Sequence, residues 1–167
     1  MSLMSIDIGT TGCKVIAFTA EGDIMASAYR EYPLIQPRPG WLELDSNEVW
    51  EKVASGIREV TAATKDDPVK ALAVCSQGEA VTPVSEDGSI LDNAITTFDS
   101  RTAGMEKRWV EKFGREGVLR ITGIPQSHIS TTPKLLWLKE NKPEVYGKAW
   151  KFLCYEDFAY FKLGLDP

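Results

Sequence analysis

Cysteine and histidine are scarce in this chain of 167 residues, which has three cysteines, Cys13, Cys75 and Cys154, and a single histidine, His128. Thiols this far apart, with no CxxC pairing, exclude a disulfide scaffold and point to reduced cysteines in a cytoplasmic protein. His128 has no cysteine or second histidine near it in sequence, which argues against a metal role. Long apolar runs are also missing. No stretch approaches the roughly 18 residues of a spanning helix, and no basic segment leads into a signal-type apolar region. Basic charge is in deficit, 19 Lys and Arg against 24 Asp and Glu for a formal net charge of -5. That balance offers no footprint for nucleic acid or an anionic membrane. Any anionic ligand must be held by local backbone donors or cations, because the overall field opposes it.

What is present is globular: 43% hydrophobic, 10% aromatic and 26% charged residues. At roughly 100 to 200 residues per domain, the length suits one domain over residues 1–167. Apolar and β-branched runs at 3–8, 14–19 and 24–32, separated by turn signals, predict three antiparallel strands. Prolines at 33, 37 and 39 make 33–44 a loop, with Trp41 as its packing anchor. A helix is expected over 46–63, capped by Asp45 or Ser46, with Val49, Trp50, Val53, Ile57 and Val60 inward. The nearly unbroken apolar run at 69–75 predicts a buried strand. A hairpin around Asp87-Gly88 joins 80–84 to 90–95. A capped helix beginning at 99–102 should turn Met105, Trp109, Val110 and Phe113 inward. Helical stretches follow at 117–121, 132–141, 143–148 and 155–163, with a strand at 151–154. The five tryptophans sit at core-like positions. This order predicts an α/β layer fold with a mixed sheet.

The segment richest in chemistry is Ile6-Asp7-Ile8-Gly9-Thr10-Thr11-Gly12. It lies between two predicted strands, a context that excludes a Walker or Rossmann loop. A tight strand-turn-strand with two glycines can aim backbone N–H groups at one point, and Thr10 and Thr11 add hydroxyl donors suited to terminal phosphates. Asp7 would hold magnesium through water, and Lys14 could neutralise transferring charge. The plainer alternative is a hairpin turn whose glycines supply positive φ and whose threonines satisfy local backbone groups.

Four stretches in order resemble the FGGY carbohydrate kinases of the actin-like ATPase superfamily, which share a ribonuclease H-like fold. They are Ser5-Ile6-Asp7-Ile8-Gly9-Thr10-Thr11, Pro39-Gly40-Trp41-Leu42-Glu43-Leu44-Asp45, Asn93-Ala94-Ile95 with Asp99-Ser100-Arg101-Thr102, and the run from Lys134 to Glu144. The resemblance implies an α/β mixed sheet with flanking helices, forming the first domain of a two-domain kinase. It implies transfer of the ATP γ-phosphoryl group to a sugar or polyol hydroxyl, with ATP and Mg2+ as cofactors. Asp7, Gly9, Thr10, Thr11 and Gly12 would form the phosphate and magnesium loop, with Lys14 stabilising charge. Gln77, Gly78 and Glu79 match the substrate-contacting turn, and Thr97 and Asp99 fall in a further substrate-side stretch. Gly78 stands where glycerol-type members carry arginine, and no Met-His pair of the xylulose type is present. Near Thr97 the family commonly has tryptophan. The general base and adenosine pocket would lie on a longer chain, so residues 1–167 alone would be inactive.

Three expectations compete: a sugar kinase domain, a non-catalytic binding or regulatory module built on half of the kinase fold, and another ATPase of the same superfamily. Asp99 and Arg101 also have a simpler reading as a helix cap and a surface ion pair. A homodimer is left open.

Overall fold

The computed structural model describes residues 1–125 and 127–166, which fold into two compact units. In chain order the elements are β1 (Ser2–Ile8), β2 (Gly12–Phe18), β3 (Ile24–Glu31), β4 (Glu43–Leu44), α1 (Ser46–Ala63), β5 (Val69–Ser76), β6 (Val81–Val84) and β7 (Ala94–Ile95). They continue with α2 (Glu106–Phe113), α3 (Arg115–Thr122), α4 (Thr131–Asn141), α5 (Pro143–Lys148), β8 (Lys151–Cys154) and α6 (Tyr155–Lys162). Among the described residues no helix is long and apolar enough to cross a membrane.

The first unit comprises 1–34, 44–78 and the residues from 153 onward. Its four-stranded sheet runs β3-β2-β1-β5, antiparallel except for the parallel β1/β5 pair. The expected meander and mixed sheet are therefore present. Strand periodicity sorts the side chains: Met4, Ile6, Ile8, Cys13, Val15 and Ala17 are buried, whereas Asp7 and Lys14 are exposed on the opposite face. Helix α1 packs on β2 and β3. Asp45 is its N-cap, accepting from the Asn47 N–H at 2.9 Å. The buried stripe of α1 is Ser46, Val49, Val53, Gly56 and Val60, with Trp50 and Ile57 only half-buried. Gly56 allows the closest approach, since a Cβ there would lie 2.9 Å from Val15 Cγ2.

The buried strand expected at 69–75 is corrected. Strand β5 forms, but Ala71, Leu72 and Ala73 are exposed in succession, so neither face of the strand is covered at these positions. An apolar run records what a strand tolerates around it, not the cover it receives.

The second unit comprises 35–43 and 79–152. A second four-stranded sheet has the order β4-β7-β6-β8. The hairpin expected around Asp87-Gly88 is present, closed by the Ser85 N–H to Ser89 O bond at 2.9 Å. Ile95, Trp137 and Leu138 form the core, with Trp41, Met105, Tyr146 and Phe152 against it. Trp41 packs edge-on to Trp137 at 5.3 Å, so the loop anchor is where its sequence context places it. Trp150 is not core, being 43% exposed.

The helix expected from 99–102 begins only at Glu106 and buries none of its side chains. Asp99, the anticipated cap, spends its carboxylate on Leu42 and Arg101, and Gly104 at φ 93 interrupts the approach. Met105 still reaches the core, while Trp109 and Phe113 stack on each other at 5.7 Å.

Candidate functional site

The four residues Gly9 to Gly12 close the β1/β2 hairpin through a Gly9 N–H to Gly12 O bond of 2.9 Å. Neither glycine has positive φ, so the plain-turn explanation for them fails. Close packing requires them instead. A Cβ on Gly12 would lie 2.7 Å from Arg30 O and 2.6 Å from the Tyr29 hydroxyl, and one on Gly9 would lie 3.1 Å from Gly12 O.

The loop carbonyls are drawn inward. Tyr32, buried at the end of β3, donates its hydroxyl to Gly9 O at 2.7 Å and Gly12 O at 3.0 Å, and its backbone N–H to Thr11 O at 3.2 Å. Gln77 Nε2 donates to Gly9 O at 3.2 Å, and Gln77 Oε1 accepts from the Thr10 hydroxyl at 3.4 Å. Among the described residues, the backbone N–H groups of Thr10 and Thr11 and the Thr11 hydroxyl have no protein partner. The loop thus turns three of its four carbonyls toward protein donors and leaves N–H and hydroxyl donors for a ligand, as an anion site requires.

Beside it, one exposed row crosses the sheet: Tyr29, Lys14, Asp7 and Cys75 are successive register partners on β3, β2, β1 and β5. Asp7 and Lys14 therefore stand opposite one another on neighbouring strands, about 5 Å apart at Cα. Among the described residues no cluster of three or more His, Cys, Asp or Glu could cage a metal ion. A lone carboxylate beside threonine hydroxyls does fit magnesium, which keeps most of its water and takes its other oxygens from phosphates.

The structure brings Gly9, Thr10, Gly12 and Gln77 together in the first unit by direct or shared hydrogen bonds. Gly78 follows Gln77, exposed, with nothing within 4 Å of where its Cβ would be. Glu79, Thr97 and Asp99 belong to the second unit. Glu79 has φ 64, a left-handed conformation unusual for a residue with a side chain. Its carboxylate accepts from the Thr131 N–H and hydroxyl at the start of α4. Its carbonyl accepts from Lys134 Nζ at 2.6 Å, and that fully buried ammonium also donates to Ile129 O at 2.6 Å. Thr97 is half-buried.

Asp99 is fully buried and committed to the protein, accepting from the Leu42 N–H at 2.6 Å, the Arg101 N–H at 2.8 Å and the Arg101 guanidinium at 2.8 to 3.0 Å. Arg101 also binds Glu43 at 2.8 Å and lies 4.1 Å over Trp41 and 4.9 Å over Trp137. This buried Glu43-Arg101-Asp99 group corrects the reading of a helix cap with a surface arginine.

A carbohydrate kinase model, that of the FGGY family N-terminal domain, matches residues 2–164. The chain belongs to the FGGY family of carbohydrate kinases. It is 34% identical to a glycerol kinase from Thermococcus onnurineus over 168 aligned residues, which cover 96% of this chain and 34% of that protein. To a xylulose kinase from Bacillus subtilis it is 29% identical over 163 residues, covering 96% of this chain and 32% of the relative. Among solved structures it is similar to the Plasmodium falciparum glycerol kinase with ADP, with a TM-score of 0.89 and 25% identity over 97% of this chain and 34% of that one. The chain therefore spans about a third of the length of these relatives. The fold is that of the FGGY N-terminal domain, a mixed sheet with flanking helices.

Two residues of this FGGY domain escape sequence reading. Tyr32 looks like a strand end before Pro33, and its only signal is that a buried phenol needs a partner. Lys134 sits near the start of α4, where its letter alone reads like any solvent-facing lysine.

Proposed function

We propose that the protein acts as an ATP-dependent carbohydrate kinase, transferring the γ-phosphoryl group to a hydroxyl of a sugar, ketose, aldonate or polyol. The observation that carries this reading is the loop polarity, with three carbonyls held inward and the Thr10 and Thr11 donors left outward. Phosphoryl transfer asks little covalent chemistry of the protein, so positioning and electrostatic stabilisation do most of the work.

In this reading Gly9, Thr10, Thr11 and Gly12 cradle the terminal phosphates of ATP. Asp7 orients the hydration shell of Mg2+, and the Lys14 ammonium, its neighbour on β2, balances charge as the phosphoryl group moves. When bound, the metal neutralises phosphate oxygens. Gln77, Gly78 and Glu79 form the acceptor turn, with Thr97 and Asp99 on the substrate side, Asp99 acting through the buried group that it anchors. The named relatives act on glycerol and xylulose. At Gly78 the turn has no side chain and open space around the missing Cβ, which supports an acceptor read by different contacts.

The test is ADP formation by the full-length protein, with any sequence flanking residues 1–167, against a panel of polyols, ketoses and aldonates. Asp7→Ala should lower turnover at least about a hundredfold, the scale of a lost transition-state contact. Undiminished turnover would sink the loop assignment.

A further inference from the structure

Three of the loop's four carbonyls converge on one residue. Tyr32 binds Gly9 O and Gly12 O through its hydroxyl and Thr11 O through its backbone N–H, while the residue is only 5% exposed. A carbonyl facing a phosphate would repel it, so a phosphate loop works only if its peptide planes are held with oxygens away from the ligand. Two glycines give no side-chain help in holding them, and glycine is the most freely rotating backbone. The phenol supplies what they lack. Its single proton is shared between the carbonyls of the two glycines, one at each end of the turn. Burial raises the hydroxyl far above the ordinary tyrosine range, with Cys13 and Tyr155 adding to the effect, so it stays a donor. Gln77 grips Gly9 O from a different strand end.

We infer that Tyr32 is a positioning residue for phosphoryl transfer: it holds the Gly9, Thr11 and Gly12 carbonyls away from the nucleotide phosphates, so that the Thr10 N–H, in the same peptide as Gly9 O, faces them and the turn carrying Thr11 is fixed at both ends. This rests on the kinase reading above. Tyr32 does not touch substrate; it acts through the loop, and its effect falls on the nucleotide side of the reaction alone.

Tyr32→Phe keeps the packed ring and the backbone N–H bond and removes the hydroxyl. In the full-length protein, kcat/KM for ATP should fall about tenfold to a hundredfold, while KM for the acceptor stays within about twofold. Amide resonances of Thr10 and Thr11, which should shift in the wild type on titration with Mg-ADP, should shift less in the variant. A merely structural role would lower the melting temperature and depress both substrates' parameters together, and that result overturns the proposal, as does unchanged ATP kinetics. Should Tyr32→Phe fail to fold, Gln77→Ala removes the other side-chain bond to Gly9 O and must lower kcat/KM for ATP in addition to any loss on the acceptor side; unchanged ATP kinetics overturns the scheme. Failure of the underlying reading looks different. A wild type with no nucleotide-dependent shift at Thr10 and Thr11 refutes the kinase reading itself, whereas a wild type and variant that bind alike refute only the part given to Tyr32.

Discussion

Replacing Arg101 with methionine keeps the length of the side chain and removes its charge from between two carboxylates. In the native protein the side chain is 1% exposed, and its partners Asp99 and Glu43 are 0% and 9% exposed. Neither carboxylate can turn to water without opening the second unit's core, because Trp41 and Trp137 cover the guanidinium. Breaking a buried pair by removing one partner costs about 3–5 kcal/mol, most of it from the charge left behind. Loss of the guanidinium over two indoles adds about 1–2 kcal/mol where water is excluded. The sum, about 4–7 kcal/mol, is a quarter or more of the roughly 5–15 kcal/mol that holds a typical domain together. With a urea slope of about 2 kcal/mol per molar, the unfolding midpoint followed by tryptophan fluorescence should fall by roughly 2–3.5 M. The triple variant Glu43→Gln, Asp99→Asn, Arg101→Met removes the stranded charges while keeping an acceptor for the Leu42 N–H and one for Asn93 Nδ2, which donates to Glu43 at 3.1 Å, and should regain most of the loss. A fall of less than about 1 kcal/mol for Arg101→Met, the scale of an exposed pair, would refute the reasoning.

The remaining expectations are smaller in scope. Gly12→Ala should destabilise the protein by about 1–3 kcal/mol in urea unfolding, because its Cβ meets the Arg30 carbonyl at 2.7 Å, whereas Gly78→Ala, with nothing within 4 Å, should be nearly neutral. Iodoacetamide should label exposed Cys75 in the native protein and reach buried Cys13 only on unfolding. Burial pushes the Cys13 thiol up, with Arg30 opposing only in part, so the unfolded chain loses that proton first. The stability contributed is complete below the ordinary thiol value of about 8.5 and drains away as pH rises beyond it. Cys13→Ala should flatten that part of the alkaline slope of the urea midpoint. An unchanged slope would contradict it.

Features of short range were legible in the residues. The meander of β1, β2 and β3, the Asp45 cap, the hairpin around Gly88 and the stop between α4 and α5 at Pro143 each follow from patterns within a few positions. What stayed hidden depends on distant partners. The exposure of β5 is set by what packs on its two faces, which no apolar run encodes. The late start of α2 follows from Asp99 being claimed by Leu42, 57 positions away. The glycines of the loop were recognisable, but their reason was not, since close approach of Arg30 and positive φ leave the same letter in the sequence. Asp7 and Thr10 could be named from local context, while Tyr32, 20 positions beyond Gly12, could not be linked to them.

The contact between Gly56 and Val15 has a bearing on the loop that its own face of the sheet does not reveal. Val15 follows Lys14 on β2, and the two side chains point to opposite faces, so a sheet one strand thick separates the packing of α1 from the exposed row of Lys14 and Asp7. Interiors this dense pass displacement on rather than absorb it. A bulkier residue at 56 would lift α1 or press β2 outward, and the hairpin that opens β2 at Gly12 would move with it. The precision of the front face is inherited from the back, and variation along α1 is constrained at a position that never meets a ligand.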